Sequence, residues 1–228
     1  MNILVTGCAG FIGFHLCEQL CRNKKNFVVG IDNLNSYYDV RLKRTRLKQL
    51  NRFKNFQFNK IDIQNKNQLE KVFKIKKYKI VIHLAAQAGV RYSIDHPESY
   101  ISSNLMGFYN IIDVSRKNKI SKFLYASSSS VYGSQKKFPS NEMDNTNNPL
   151  SLYAATKKSN ELIAHSYSNI YGFKSIALRF FTVYGPYGRP DMAYYKFTRA
   201  ILSGKSIDVF NNGEMKRDFT YIDDIVEG

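Results

Sequence analysis

Residues 2–13, NILVTGCAGFIG, place three glycines between a short apolar run and the start of an amphipathic stretch. The pattern predicts a strand, a tight turn and a helix, because Gly7, Gly10 and Gly13 let the backbone turn sharply and pack closely. The N–H groups at the start of such a helix bind a pyrophosphate. Asp32 ends the next apolar run, where a carboxylate accepts hydrogen bonds from both hydroxyls of an adenosine ribose and repels a 2′-phosphate. The combination predicts NAD binding and disfavours NADP.

Strand-like and helix-like stretches alternate along the chain. The predicted strands cover residues 2–7, 27–32, 56–62, 79–86, 120–128, 174–181 and 206–210, and the predicted helices cover residues 11–23, 41–51, 67–77, about 97–117, about 151–170 and 193–202. Strict alternation indicates a parallel sheet covered by helices on both faces. We therefore expect an α/β fold of the Rossmann type, a doubly wound parallel sheet.

The texture of the sequence changes after residue 184, where a Pro- and Gly-rich loop begins. We expect residues 1–184 to form the NAD-binding domain. Residues 185–228 are expected to form part of a small substrate-binding lobe that is interleaved with it. Asp223 is predicted to be the N-cap of a helix of which only the first turn is present. The lobe is therefore expected to be incomplete, the chain to be a fragment or an early-terminated form of a longer protein, and an apolar face to be left exposed.

The chain of 228 residues carries a formal net charge of +16, which attracts nucleic acid, anionic membranes or phosphorylated ligands. The lysines stand among asparagines on predicted solvated helix faces, and no helix has a basic stripe interleaved with aromatic residues. Neither nucleic acid nor a membrane is therefore an expected partner. Residues 80–86 form the longest nearly apolar run, which is too short to span a bilayer, and the chain opens on a predicted strand where a signal peptide would stand. A soluble, cytoplasmic protein is expected.

Cys8, Cys17 and Cys21 are few and odd in number, which fits reduced thiols. Cys17 and Cys21 share one face of the first predicted helix and are better explained by buried packing than by a metal. The four histidines show no ligand spacing. No metal site is expected.

Tyr153 and Lys157 stand four residues apart on the long predicted helix, and this spacing puts both side chains on one helix face. A nearby ammonium stabilises a phenolate, which predicts a lowered pKa for Tyr153 and a role as general base. The serine run 127–130 follows the fifth predicted strand, at the edge of the sheet where ligands bind in such folds. Ser128 is therefore expected to bond the same substrate hydroxyl as Tyr153.

Several longer stretches together resemble one family. They are TGCAGFIG (6–13), HLAAQAGVRYS (83–93), SSSSVYG (127–133), YAATK (153–157) and RFFTVYGPYGRPDM (179–192). The resemblance is to the NAD-dependent epimerase/dehydratase group of extended short-chain dehydrogenases/reductases. Within the group, DNLNSYYDVRLKRTRL (32–47) and AAQAGVRYS (85–93) look most like UDP-glucuronate 4-epimerases. The resemblance implies an NAD site lined by Gly7, Gly10, Phe11, Ile12, Gly13, Asp32, Asn33, Asp62, Ile63, Leu84, Ala85, Gln87, Asn104, Tyr153 and Lys157.

Positions 128–130 separate the relatives chemically. The 4,6-dehydratases of the group carry an Asp-Glu pair just before VYG, and the decarboxylases carry Glu where this chain has Ser130. Ser129 and Ser130 are poor acids and bases at neutral pH, but they can donate hydrogen bonds to a C6 carboxylate without promoting its loss. Galactose-type epimerases typically have Asn where Thr182 stands. The resemblance implies substrate contacts from Ser128, Ser129, Ser130, Thr182, Arg189 and Arg217, with Arg189 suited to fork onto a carboxylate and Arg217 to contact UDP.

The expected activity is NAD-dependent epimerisation at C4 of a UDP-sugar, from UDP-glucuronate to UDP-galacturonate, through a transient 4-keto sugar. Another nucleotide-sugar epimerase, dehydratase or decarboxylase is an alternative. A further alternative is a truncated NAD-binding remnant without catalysis. A homodimer, or a second polypeptide that completes the C-terminal lobe, is the expected protein partner.

Overall fold

The computed structural model describes residues 1–135, 138–209, 211–214 and 216–228. The strands are β1 (Asn2–Thr6), β2 (Phe27–Asp32), β3 (Phe56–Lys60), β4 (Ile80–His83), β5 (Lys122–Ala126), β6 (Ser175–Leu178), β7 (Thr182–Tyr184) and β8 (Phe219–Tyr221). The α-helices are α1 (Phe11–Arg22), α2 (Val40–Leu50), α3 (Lys66–Ile75), α4 (Tyr92–Asp95), α5 (Pro97–Tyr100), α6 (Gly107–Lys117), α7 (Leu152–Tyr171), α8 (Ala193–Leu202) and α9 (Ile222–Glu227). None of these described helices is long and apolar enough to cross a bilayer.

Six of the strands form one parallel sheet in the order β3-β2-β1-β4-β5-β6. The sheet is buried on both faces, as alternate residues of β1 show. Leu4 packs in one core cluster with Phe108 of α6, whereas Val5 packs in a second cluster with Phe14 of α1. A strand that is apolar on both sides reads as a continuous apolar run, which is why NILVT predicts a buried parallel strand. The predicted doubly wound fold is confirmed.

The region between β4 and α6 differs from the single predicted helix. The chain forms α4 and α5, then a π-helical segment at Ile101–Met106, and only then α6. Pro97 stands in the first turn of α5, as predicted for a helix start. The wider π-turn contains Asn104. Its buried side-chain amide forms hydrogen bonds with the backbone of Gln87 and with the hydroxyl of Thr156. Such insertions often mark functional regions.

Two predictions for the C-terminal part are wrong in detail. Residues 206–209 of the predicted strand are coil, mostly exposed, and Phe210 lies outside the described residues. The composition of this segment favours a strand, but none forms because no described strand pairs with it. The last helix begins at Ile222 with Tyr221 as its N-cap, two residues before the predicted Asp223.

β8 forms a two-stranded parallel sheet with β7, so residues on both sides of position 184 share hydrogen bonds. Phe11 of α1, Val183 of β7 and Ile222 of α9 form a small separate core. The segment that begins at residue 185 therefore packs directly on the first helix of the sheet domain. A domain boundary at this position stays a prediction.

We expect Phe108→Ala to lower the free energy of unfolding by about 3–5 kcal/mol, because it removes a fully buried ring from the core. The ring centroid lies 5.1 Å from that of Tyr125 and 5.6 Å from that of His83. Tyr109→Ala is the matched control on the same helix, since Tyr109 is 40% exposed. Its cost should be within about 1 kcal/mol. Urea unfolding measures the free energy of unfolding of the two variants. Equal decreases in the two would contradict the assignment of Phe108 to the core.

Candidate active site

A cavity of about 1070 Å³ lies at the carboxyl edge of the large sheet. Its walls include residues that directly follow β1, β2, β4 and β5, and Phe180, two residues after β6. The strand order reverses between β1 and β4, and in open α/β sheets ligands bind in the crevice at such a point. Every residue predicted to contact cofactor or substrate lines this cavity, with the exception of Asn104.

Asn104 is buried behind the cavity wall. Its Oδ1 accepts from the backbone N of Gln87 at 2.8 Å, and its Nδ2 donates to the Gln87 carbonyl at 3.0 Å and to the Thr156 hydroxyl at 3.1 Å. Thr156 in turn donates to the carbonyl of Tyr153 at 2.8 Å. Asn104 therefore ties the loop after β4 to α7 and acts on the cavity through Gln87.

The glycine turn leaves no room for side chains. A Cβ on Gly13 would lie 2.1 Å from the carbonyl oxygen of Gly7, and a Cβ on Gly7 would lie 2.8 Å from the backbone N of Ala85. Gly7 also has a φ of +72°, which favours glycine. Among the described residues no side chain caps the first turn of α1, and the backbone N–H groups of a first helical turn can donate to an anion. This turn fits a pyrophosphate.

Asp32 is held at the end of β2 by backbone donors. Its two carboxylate oxygens accept from the N–H groups of Ala9 at 3.2 Å and Leu34 at 2.8 Å. Lys43 of α2 stands beside it, with 3.9 Å between Nζ and Oδ1. The fixed carboxylate lies on the same wall as the glycine turn, which is the arrangement that an adenosine ribose requires.

Lys157 and Tyr153 both reach the cavity from α7. The Lys157 ammonium donates to the carbonyl of Ala126 at 2.9 Å, at the end of β5. Burial lowers the pKa of Lys157 to about 8. Burial, with a smaller contribution from the charge of Lys157, lowers the pKa of His83 to about 3, so this histidine is neutral. Its Nδ1 is hydrogen-bonded to the hydroxyl of Thr6 at 2.7 Å.

The prediction that Lys157 lowers the pKa of Tyr153 is wrong for this structure. Burial raises the pKa of Tyr153, and the neighbouring hydroxyl of Ser128 and the charge of Arg189 oppose the rise. The one-turn spacing correctly placed both side chains on one face. It could not show the burial that raises the pKa of the phenol.

Glu161, one turn beyond Lys157, was not predicted as part of the site. Its carboxylate accepts from Nε and Nη2 of Arg179, both at 2.9 Å, and from the hydroxyl of Ser127 at 2.6 Å. Ser127 precedes Ser128, so this ion pair fixes the segment that carries the serine hydroxyls. The i, i+4 spacing of Lys157 and Glu161 was the available signal.

Arg46 was also missed, because its helix read as polar and solvated. It is fully buried, and it donates to the carbonyls of Ala9 at 2.8 Å and Tyr187 at 2.6 Å, and to the hydroxyl of Tyr38 at 2.7 Å. It thereby joins the glycine turn to the loop before Arg189. Among the described residues, no group of His, Cys, Asp and Glu could hold a metal ion.

Residues 3–228 match the NAD dependent epimerase/dehydratase family. The chain belongs to this family. NAD is the family's cofactor, in agreement with the glycine turn and Asp32. The predicted family and cofactor are therefore confirmed.

The chain is similar to protein CapI of Staphylococcus aureus, with 56% identity over 227 residues, covering 100% of this chain and 67% of that protein. It is 52% identical over 232 residues to UDP-glucuronate 4-epimerase 4 of Arabidopsis thaliana, covering 100% of this chain and 53% of that protein. The chain thus spans about half the length of this plant relative.

Among solved structures, the chain is similar to a UDP-glucuronic acid 4-epimerase from Bacillus cereus in complex with UDP-glucuronic acid and NAD. The TM-score is 0.93 at 40% identity, and the match covers 99% of this chain and 71% of that one. A UDP-glucose 4-epimerase of Thermotoga maritima with UDP-glucose matches with a TM-score of 0.89 at 34% identity, over 100% of this chain and 71% of that one. Relatives and neighbours alike support an enzyme of the nucleotide-sugar 4-epimerase type.

We expect Gly13→Ala to weaken NAD binding at least about tenfold, because the new methyl group displaces the turn that carries the anion donors. Isothermal titration calorimetry with NAD measures the effect. Gly204→Ala is the control, since Gly204 lies outside the cavity lining and no atom lies within 4 Å of the added Cβ. Unchanged affinity in Gly13→Ala would show that the cofactor does not use this turn.

Proposed function

We propose that this protein catalyses NAD-dependent epimerisation at C4 of UDP-glucuronate to give UDP-galacturonate. The observation that carries the proposal is one cavity that brings a phenol, a buried ammonium and two arginine side chains next to the glycine turn. The similarity to UDP-glucuronate 4-epimerases supports the choice of sugar.

The residues present fit NAD. The first turn of α1 would bind the pyrophosphate, and Asp32 would bind the adenosine ribose. Asn33 and Asp62 form a hydrogen-bonded pair at 2.9 Å on the adjoining wall and would contact the adenosine end. When bound, NAD supplies the oxidant that converts the C4 carbinol into a ketone, the reductant that reverses this step, and a positive charge near the phenol.

Tyr153 is the proposed acid and base. Its phenolate takes the proton of the C4 hydroxyl as the ketone forms and returns it when the C4–H bond is remade on the opposite face of the sugar. Ser128 lines the same cavity and is proposed to hydrogen-bond the C4 oxygen, so it would hold the sugar hydroxyl towards the phenol while the proton moves. Lys157 is proposed to bind the cofactor through its ammonium, which donates hydrogen bonds in the ionised form.

The wall around the sugar favours a uronate. Ser129, Ser130 and Thr182 offer hydroxyl donors, and Arg189 offers a guanidinium for the C6 carboxylate. Positions 129 and 130 hold no carboxylate that could act as acid or base in dehydration or decarboxylation. Arg217 lines the cavity and is proposed to contact UDP.

A homodimer, or a second polypeptide that contributes to the sugar-binding lobe, is the proposed protein partner. A cytoplasmic location stays a prediction.

We expect Tyr153→Phe to lower turnover of UDP-glucuronate by a factor of about 10²–10⁴, since it removes the acid and base and leaves the ring in place. Affinity for NAD should be nearly unchanged. Chromatography of the UDP-sugars after incubation with NAD-loaded protein measures turnover. UDP-galacturonate supports the epimerase, and release of carbon dioxide indicates a decarboxylase. NAD binding without turnover by the unmodified chain indicates a remnant.

The pH profile should reflect both buried groups. The pKa of Lys157 is about 8, and that of Tyr153 is raised above its ordinary value of 10. The rate follows the product of the phenolate and ammonium fractions. It should therefore rise with pH up to about 8 and then level off, because the gain in phenolate is offset by loss of the ammonium.

Initial rates for UDP-glucuronate between about pH 6 and about pH 10 give this profile. Lys157→Met is the control, in which the rates are lower and the change of slope near pH 8 disappears. A change of slope that persists in Lys157→Met would assign it to another group.

A further inference from the structure

Arg189 is restrained on one edge of its guanidinium. Its Nε donates to Oδ1 of Asp191 at 3.0 Å, and its Nη2 donates to Oδ2 at 2.5 Å. No hydrogen bond joins Nη1 to another residue in the described part of the chain. Asp191 thus occupies the Nε edge, and the Nη1 edge is left for a ligand. Arg189 itself lines the cavity.

Asp191 is restrained in turn by Tyr37 from the loop between β2 and α2. The Tyr37 hydroxyl donates to Oδ2 of Asp191 at 3.0 Å. Tyr37 has little freedom to move, because a Cβ added to Gly89 would lie 2.4 Å from its hydroxyl and its ring contacts that of Tyr92 at a centroid distance of 4.8 Å. The three residues form a chain of contacts from the cofactor half of the cavity to Arg189.

The backbone of the loop before Arg189 is fixed from the same side. The carbonyl of Pro186 is bonded to Nε2 of His15 at 2.9 Å, and that of Tyr187 accepts from Arg46 at 2.6 Å. Both the backbone and the side chain of Arg189 are therefore set before a ligand arrives. A restrained guanidinium loses little conformational freedom when a carboxylate binds it.

We propose that Asp191 and Tyr37 are positioning residues for recognition of the sugar carboxylate: they hold one edge of Arg189 so that its other edge meets the ligand. This inference rests on the proposed function, because it assigns the carboxylate of the uronate to Arg189. A sugar without a carboxylate makes no use of the restrained edge. The two residues then affect uronate binding selectively.

The groups whose charge interacts with Arg189 lie on several elements. They are Tyr37, Tyr38, Tyr100, Tyr153, Asp191 and Tyr194. Asp191 is the acid in this set, and the hydrogen bonds and charge of Arg189 together with the Tyr37 hydroxyl keep its pKa below the ordinary value although burial opposes them. The pair is ionised at neutral pH, so the restraint is present where the enzyme works.

The first test needs no substrate. Solvent exchange of the Arg189 Nε–H is measured by NMR on the NAD-loaded protein, with the signal assigned by its loss in Arg189→Lys. Asp191→Asn should speed this exchange about tenfold, the effect of losing one hydrogen bond to a charged group, and Tyr37→Phe should speed it by a smaller factor. Tyr92→Phe is the matched control, since it removes a hydroxyl from the neighbouring ring, and it should leave the exchange unchanged. Exchange that is equal in all four proteins overturns the positioning role.

The second test compares the binding of UDP-glucuronate with that of UDP-glucose. Tyr37→Phe should weaken UDP-glucuronate binding about tenfold and leave UDP-glucose binding within about twofold, because the second sugar has no carboxylate. Equal weakening of both sugars would indicate a general structural role and overturn the selective one. If the unmodified protein itself shows no preference for the uronate, the proposed substrate is wrong, and the exchange measurement still decides whether Asp191 and Tyr37 position Arg189.

Discussion

The contact between Gly13 and the carbonyl of Gly7 is the constraint on which the rest of the structure depends. A methyl group at Gly13 would overlap that oxygen at 2.1 Å, and one at Gly7 would press on Ala85 at 2.8 Å. β1, α1 and the loop after β4 can therefore converge within the space of one side chain. This convergence brings the start of α1 to the carboxyl edge of the sheet, where the loops that follow the other strands also lie. The cavity exists because the backbone segments meet there so closely.

The parts of the fold that could be predicted from the sequence depend on local patterns. Apolar runs and helical spacing identified the six strands of the main sheet, and the rule that alternating elements form parallel sheets supplied the architecture. Asp32 and Tyr153 could be placed in the cavity because each stands at the end of a strand or on a helix face that the topology brings to one edge. Such inferences need only the residue, its own element and the direction of the strands.

What could not be predicted depends on contacts between distant residues. Arg46 belongs to a stretch with a polar pattern, yet it is fully buried, because carbonyls from two loops accept its donors. Residues 206–209 have the composition of a strand but no pairing partner among the described strands. The spacing of Tyr153 and Lys157 was correct, and the expected direction of the phenol's pKa was wrong, since burial is set by the whole fold and outweighs the neighbouring charges.

The net positive charge of the chain is also found in the lining of the cavity. Of the residues that the structure describes, five basic side chains line it, Lys43, Lys157, Arg189, Lys216 and Arg217, against three acidic ones, Asp32, Asp62 and Asp218. Lys43 is close to Asp32, so the excess of positive charge lies towards the end proposed to bind the sugar nucleotide. A diphosphate and a carboxylate would both be placed there, and positive walls offset the cost of removing these anions from water. Asp191 limits that excess at Arg189, and it keeps this partly buried guanidinium paired whether or not a carboxylate is bound. Under the proposed function, a uronate would be recognised by the free edge of an arginine that is already neutralised and held in place.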